Sequence, residues 1–89
     1  MSLNLSTTRA LIARHEGCRL KPYTDTVGKL TIGYGYNLAD RGITQAQADD
    51  WLDQDLARTV NELVTAVPWF TNLDNVRQMV LVDMAYNLG

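Results

Sequence analysis

Apolar positions follow three successive rhythms along the chain. Between Ser6 and His15 the residues Leu11, Ile12 and His15 fall on one face at three-to-four spacing, which predicts a short helix over about 6 to 15. Ser6, Thr7 and Thr8 offer its N-cap, and Gly17 stands where a left-handed residue closes a helix. From Leu20 to Tyr36 the pattern changes, and from Leu30 to Tyr36 it alternates with a period of two. "LKPY" leads into the turn "TDTVGK", with Asp25 and Gly28, and then into "LTIGYGY". Read as one strand, this places Leu30, Ile32, Tyr34 and Tyr36 on one face and Thr31, Gly33 and Gly35 on the other. The second face is nearly bare of side chains, a pattern that marks close approach by a backbone or a ligand.

The helical period returns at Thr44, which forms a capping box with Gln47 and opens a helix over about 44 to 65. Its apolar stripe is Ala48, Leu52, Leu56, Val60, Leu63 and Val64. Pro68 follows, and in the connector "PWFTNLDN" either Asn72 or Asp74 can cap a last helix over roughly 75 to 87. Val76, Met79, Val80, Leu81, Val82, Met84, Ala85, Tyr86 and Leu88 surround most of that helix, so it calls for burial on nearly every side. The remaining elements are too few to cover it. A second lobe, a partner chain or a second copy of this chain is expected there, with self-association by exchange of the helix as one route.

Composition narrows the function classes. A chain of 89 residues allows one domain, and such a chain buries only about 60–65% of the surface that its unfolded form exposes. A net charge of −2 supplies no basic field, which argues against nucleic acid as a partner. Cys18 is the single cysteine and has no intramolecular partner. No run of 18 apolar residues predicts a membrane span, and "MSLNLSTTRALIARHEG" lacks the features of a signal peptide, so synthesis in the cytoplasm is expected. Asp49, Asp50, Asp53 and Asp55 suit the positive end of a helix dipole, and no His/Cys/Asp cluster has metal-ligand spacing. No metal or other cofactor is expected.

The candidate chemistry lies in "HEGCRLKPYTDTVGKLTIGYG", residues 15 to 35. Glycoside hydrolysis uses two carboxyl groups, one giving a proton to the leaving oxygen and the other orienting water or attacking the sugar. Glu16 ends a helix, at the negative end of its dipole and beside a strand that would shield it, a setting that suits a proton donor. Asp25, in a polar turn, suits the charged partner, and Thr31 can hold a water through its hydroxyl. Spacing alone leaves a second reading open: two solvated acids, one at a helix end and one capping a turn. Other residues favour packing over chemistry. His15 reads as a partly buried helix-end residue, and Cys18 as a thiol without a histidine to activate it. Trp51, Trp69 and Phe70 offer faces to a sugar, although Trp69 and Phe70 read more simply as a hydrophobic plug.

The same stretch resembles the phage-type lysozymes, the bacteriophage endolysins. Their pattern is a Glu-Gly after the first helix, an Arg-Leu-x-x-Tyr run, an Asp-x-x-Gly turn and Thr-Ile-Gly-x-Gly. Glu16-Gly17, Arg19-Leu20, Tyr23, Asp25, Gly28, Thr31-Ile32-Gly33 and Gly35 match it, as do the Glu–Asp–Thr separations. "GITQAQADDWLDQDL" looks like the family's interlobe helix region and "VRQMVLVDMAYNLG" like its buried helix. The resemblance implies an α+β, lysozyme-like fold: a catalytic helix and small β-hairpin lobe over 1–43, a long interlobe helix over 44–66, and over 72–89 the core helix of a C-terminal helical lobe that is otherwise missing.

For activity it implies a muramidase that hydrolyses the β-1,4 bond between N-acetylmuramic acid and N-acetylglucosamine in peptidoglycan, acting on the cell wall in the periplasm after release. Glu16 would be the proton donor, Asp25 the second carboxylate, and Thr31 a positioner of water in an inverting reaction. Asn37 would line the sugar cleft. Inversion calls for carboxyl groups about 6.5–9.5 Å apart. Two residues depart from the family pattern. Tyr36 stands where histidine is frequent, so a charged pair built there cannot form. Asp83 lies in the buried helix, where it is costly unless Arg77 or a backbone donor reaches it. An isolated lobe that binds glycan or assembles with a partner without turnover is the competing expectation.

Overall fold

A computed structural model describes residues 2–89. Its helices and one small antiparallel sheet form an α+β fold, as the resemblance implies. The chain divides into two compact units, Met1–Ile43 and Thr44–Gly89.

In the first unit, helix α1 spans Leu5–Glu16. It is capped by Asn4, whose side chain accepts from the Thr7 N–H at 3.0 Å, rather than by Ser6, Thr7 or Thr8. Starting one residue earlier and ending one later than the periodicity suggests, the helix takes Glu16 as its last residue. Gly17 then ends it with a φ of 67°, and its N–H donates to the Ala13 carbonyl at 2.9 Å. Strands β1 (Arg19–Thr24), β2 (Leu30–Gly33) and β3 (Tyr36–Asn37) follow in the order β1-β2-β3. Pro22, which has no N–H to give to a ladder, lies in the edge strand β1, near a register shift between Arg19 and Tyr23.

The third strand corrects the expectation of a single strand from Leu30 to Tyr36. Gly33 and Gly35 take φ values of 67° and 68°, which extended L-residues do not adopt, and the chain reverses between them. Asn37 closes β3 and caps a four-residue helix α2 (Leu38–Arg41) that the periodicity did not disclose. Lys29 reaches Asp40 of α2 at 3.1 Å, and the Tyr36 hydroxyl donates to the Gly42 carbonyl at 2.7 Å. The Arg41 guanidinium lies 5.1 Å over the Tyr36 ring. With no charge at position 36, its polar end is satisfied by a backbone carbonyl instead of an acid.

In the second unit, helix α3 spans Gln45–Ala66 and the capping box is formed in both directions: Gln47 N–H to Thr44 Oγ1 at 3.1 Å and Thr44 N–H to Gln47 Oε1 at 2.9 Å. A single 3-10 turn, Phe70–Asn72, leads to helix α4 (Asn75–Leu88), which Asp74 caps. Phe70, 4% exposed, is the buried apolar residue on which the unit packs. It shares a groove with Leu52, Leu56 and Val60 of α3 and Val82 of α4, and the Gln78 side chain bonds its carbonyl at 3.0 Å. Trp69, beside it, is exposed.

Helix α4 has no buried residue; Val76 and Met79 are 67% and 61% exposed. Most of its apolar circumference is thus uncovered within its own unit, while Leu81, Val82 and Ala85 are half-buried. Asp83 is exposed and incurs no burial cost, and Arg77 is not its partner: the Arg77 guanidinium bonds Asp74 at 2.6 Å.

Candidate active site

A helix end, a turn and two short strands of the first unit carry Glu16, Asp25, Thr31 and Asn37. Glu16 extends from the C-terminal end of α1 towards the reversal between β2 and β3. A Cβ built on Gly35 would stand 2.5 Å from Glu16 Oε2 and 3.1 Å from its carboxyl carbon, so the acid lies directly over that glycine. Among the described residues no hydrogen bond or ion pair holds the Glu16 carboxyl. The side chain is exposed, and the strand beside it gives no shield from solvent, contrary to expectation.

Asp25 begins the turn between β1 and β2. Its N–H donates to the Lys29 carbonyl at 2.9 Å, and its own carbonyl accepts from Gly28, whose φ of 84° closes the turn. Its Oδ1 accepts from the Val27 N–H at 3.0 Å and the Lys29 N–H at 2.8 Å. Both bonds fall on one oxygen. Oδ2 has no hydrogen-bond partner among the described residues, so the backbone fixes the carboxylate's direction while one oxygen stays available. Asp25 is half-buried.

Thr31 sits between these two ends, in the middle strand. It pairs with Tyr23 on one side and Asn37 on the other. Directly opposed residues of antiparallel strands point to the same face, so Tyr23, Thr31 and Asn37 form one row across the sheet. The face that seemed bare is therefore occupied, and Thr31 is 3% exposed rather than open. Its hydroxyl proton goes to the Lys29 carbonyl at 2.9 Å, which leaves only lone pairs for a further partner. Asn37 is engaged too. Its Oδ1 accepts from the Asp40 N–H and its Nδ2 donates to Asp40 Oδ2, each at 3.1 Å.

Glu16 and Asp25 are thus placed at opposite ends of β2, the first at the Gly35 end and the second at the Lys29 end. Four extended residues cover about 10 Å from first to last. This arrangement brings one unbonded carboxyl, one carboxylate fixed by backbone N–H groups and the Thr31 hydroxyl to a single short strand. His15 and Cys18 are exposed near Glu16 in sequence, and no hydrogen bond ties either to it. Trp51, Trp69 and Phe70 belong to the second unit. Among the described residues no three His, Cys, Asp or Glu side chains are grouped to hold a metal ion.

Sequence reasoning missed Gly35 as the seat of the Glu16 carboxyl. It also missed the Lys29–Asp40 pair that ties the Asp25 turn to α2. The repeated glycine in "GYG" was the available signal for the first.

Comparisons with known proteins agree with the motif. The family model described as phage lysozyme matches residues 13–89. An endolysin of Acyrthosiphon pisum secondary endosymbiont phage 1 is 35% identical over 83 residues, covering 89% of this chain and 55% of the relative. A SAR-endolysin of Bacteriophage PS119 is 32% identical over 81 residues, covering 83% of this chain and 46% of the relative. The chain spans about half the length of these curated relatives. With its Glu–Asp–Thr motif folded as a helix end, a turn and a strand, the chain belongs to the phage lysozyme family.

Proposed function

We propose that this chain carries the acid-bearing part of a muramidase that cuts the β-1,4 linkage between N-acetylmuramic acid and N-acetylglucosamine in peptidoglycan. The observation that carries this reading is the placement of Glu16 and Asp25 at the two ends of β2, in a chain belonging to the phage lysozyme family. Glu16 gives its proton to the glycosidic oxygen as that bond breaks. Water adds to the anomeric carbon from the opposite face of the ring and passes its proton to Asp25. The net result is hydrolysis with inversion. The free Oδ2 of Asp25 is the acceptor for that water, and Thr31 assists as a hydrogen-bond acceptor. Asn37 borders the sugar through the hydrogen-bonding capacity that its cap leaves over.

The names of the two relatives, both endolysins, support a site of action at the bacterial cell wall, reached in the periplasm after release from the cell of synthesis. No helix among the described residues is long and apolar enough to cross a membrane. The test is clearance of purified peptidoglycan by the wild type and by Glu16→Gln. General acid catalysis contributes about 10²–10⁴-fold, and a loss in that range is expected. Equal clearance by both proteins would remove Glu16 from the reaction.

A second reading rests on the exposed apolar residues of α4. In it, the chain is a lobe that recognises glycan, or assembles with a second copy through Val76, Met79, Val80 and Met84, without turnover. Mass in solution, measured on the sample used for clearance, separates the two. An oligomer that binds saccharide and clears nothing favours this lobe; a monomer that clears the wall excludes it.

A further inference from the structure

We infer that Gly35 is a positioning residue for the Glu16 carboxyl, and that its missing side chain is what allows the acid to lie at the end of β2. The inference rests on the reading of Glu16 as the proton donor and adds a residue through which that donor is placed. At 2.5 Å from Glu16 Oε2, a Cβ at position 35 would occupy space the carboxyl now fills. The obstacle and the obstructed group differ in stiffness. Gly35 belongs to a tight reversal, whereas Glu16 Oε2 is the far end of a flexible side chain that no hydrogen bond or ion pair holds among the described residues. Adding a methyl group therefore moves the acid and not the turn. The fold survives; the proton donor is displaced.

Gly33 supplies the control. It has a φ of 67° against 68° for Gly35, so alanine meets a similar backbone penalty at either position. Yet a Cβ at Gly33 meets nothing within 4 Å. Gly33→Ala thus reports the cost of the left-handed backbone alone, and Gly35→Ala reports that cost plus displacement of Glu16.

The experiment compares wild type, Gly33→Ala, Gly35→Ala and Glu16→Gln by NMR and by peptidoglycan clearance. In the wild type a nuclear Overhauser contact between the Glu16 γ protons and the Gly35 α protons is expected. The Glu16 carboxyl resonance should move in Gly35→Ala and stay in place in Gly33→Ala, while the two variants lose similar melting temperature. Displacement of a reacting group by about 1 Å can cost ~100-fold, so clearance by Gly35→Ala should fall by about that factor and clearance by Gly33→Ala by no more than about threefold. Absence of the contact in the wild type, or equal movement of the Glu16 resonance in both glycine variants, overturns the inference. Clearance by Glu16→Gln equal to wild type overturns the proton-donor reading instead, and the NMR comparison still decides the placement of the carboxyl.

Discussion

The two units of the chain are held together by opposite means. In Met1–Ile43 the deeply buried residue is Thr31, a hydroxyl, and the structure depends on polar turn geometry. Asp25 gathers two backbone N–H groups, Asn37 caps α2, Tyr36 reaches Gly42, and Lys29 reaches Asp40. In Thr44–Gly89 two helices pack on one another and on Phe70, while α4 keeps most of its apolar surface uncovered. The candidate chemistry falls wholly in the first unit. A site needs side chains aimed in fixed directions, which turns and caps provide; a helix pair provides apolar area. Under the proposed function, residues such as Asp25 and Asn37 serve the turn and the site together, so their substitution is expected to mix stability with activity. Glu16 makes no such bond, and its substitution should report chemistry with little loss of fold.

Four substitutions test this contrast. The largest stability effect belongs to the second unit: Phe70→Ala removes its buried anchor and should cost about 3–5 kcal/mol. Chemical denaturation followed by Trp51 and Trp69 fluorescence measures it, and a loss below about 1 kcal/mol would show that Phe70 is not the anchor. Next comes Asp25→Ala, which leaves the Val27 and Lys29 N–H groups without their acceptor. A loss of about 2–3 kcal/mol is expected, because hydrogen bonds to a charged acceptor are the stronger kind. Unchanged stability would mean that water replaces the carboxylate at no cost.

Thr31→Val keeps the shape and removes the donor to the Lys29 carbonyl, for an expected loss of about 1–2 kcal/mol. A neutral or stabilising result in the same denaturation experiment would show that this buried hydroxyl is not needed by the sheet. The smallest effect is expected for Lys29→Met. Both partners of the Lys29–Asp40 pair are about half exposed, and such pairs contribute roughly 0.5 kcal/mol, reduced further by salt. A double-mutant cycle with Asp40→Asn at low and high salt checks it; coupling that ignores salt would contradict a solvent-screened pair.

What the sequence disclosed follows how local each signal is. The Thr44–Gln47 capping box involves neighbours within one turn and was legible. Of the α3 stripe, Ala48, Leu56, Val60 and Leu63 are half-buried, whereas Leu52 and Val64 are exposed and the buried residue of the helix is Thr59. The cap of α1 was misplaced because Ser6, Thr7 and Thr8 look as suitable as Asn4, and only the bond from Thr7 N–H to Asn4 decides between them. The alternation from Leu30 to Tyr36 suits one long strand as well as a strand, a reversal and a second strand. Positive φ at Gly33 and Gly35 selects the latter. The burial of Thr31 depends on cross-strand neighbours from both sides, which no local pattern announces. The candidate site was legible as a motif, yet its arrangement along β2 arises from a helix end and two turns brought together by folding.

Release of reducing ends from purified peptidoglycan, followed by NMR of the first-formed anomer, tests the central claim most directly. The wild type is expected to release the inverted, α-configured end, and Glu16→Gln is expected to release about 10²–10⁴-fold less. Release of the β-configured end, or equal release by the two proteins, would contradict a proton donor and a water-holding carboxylate set at the two ends of β2.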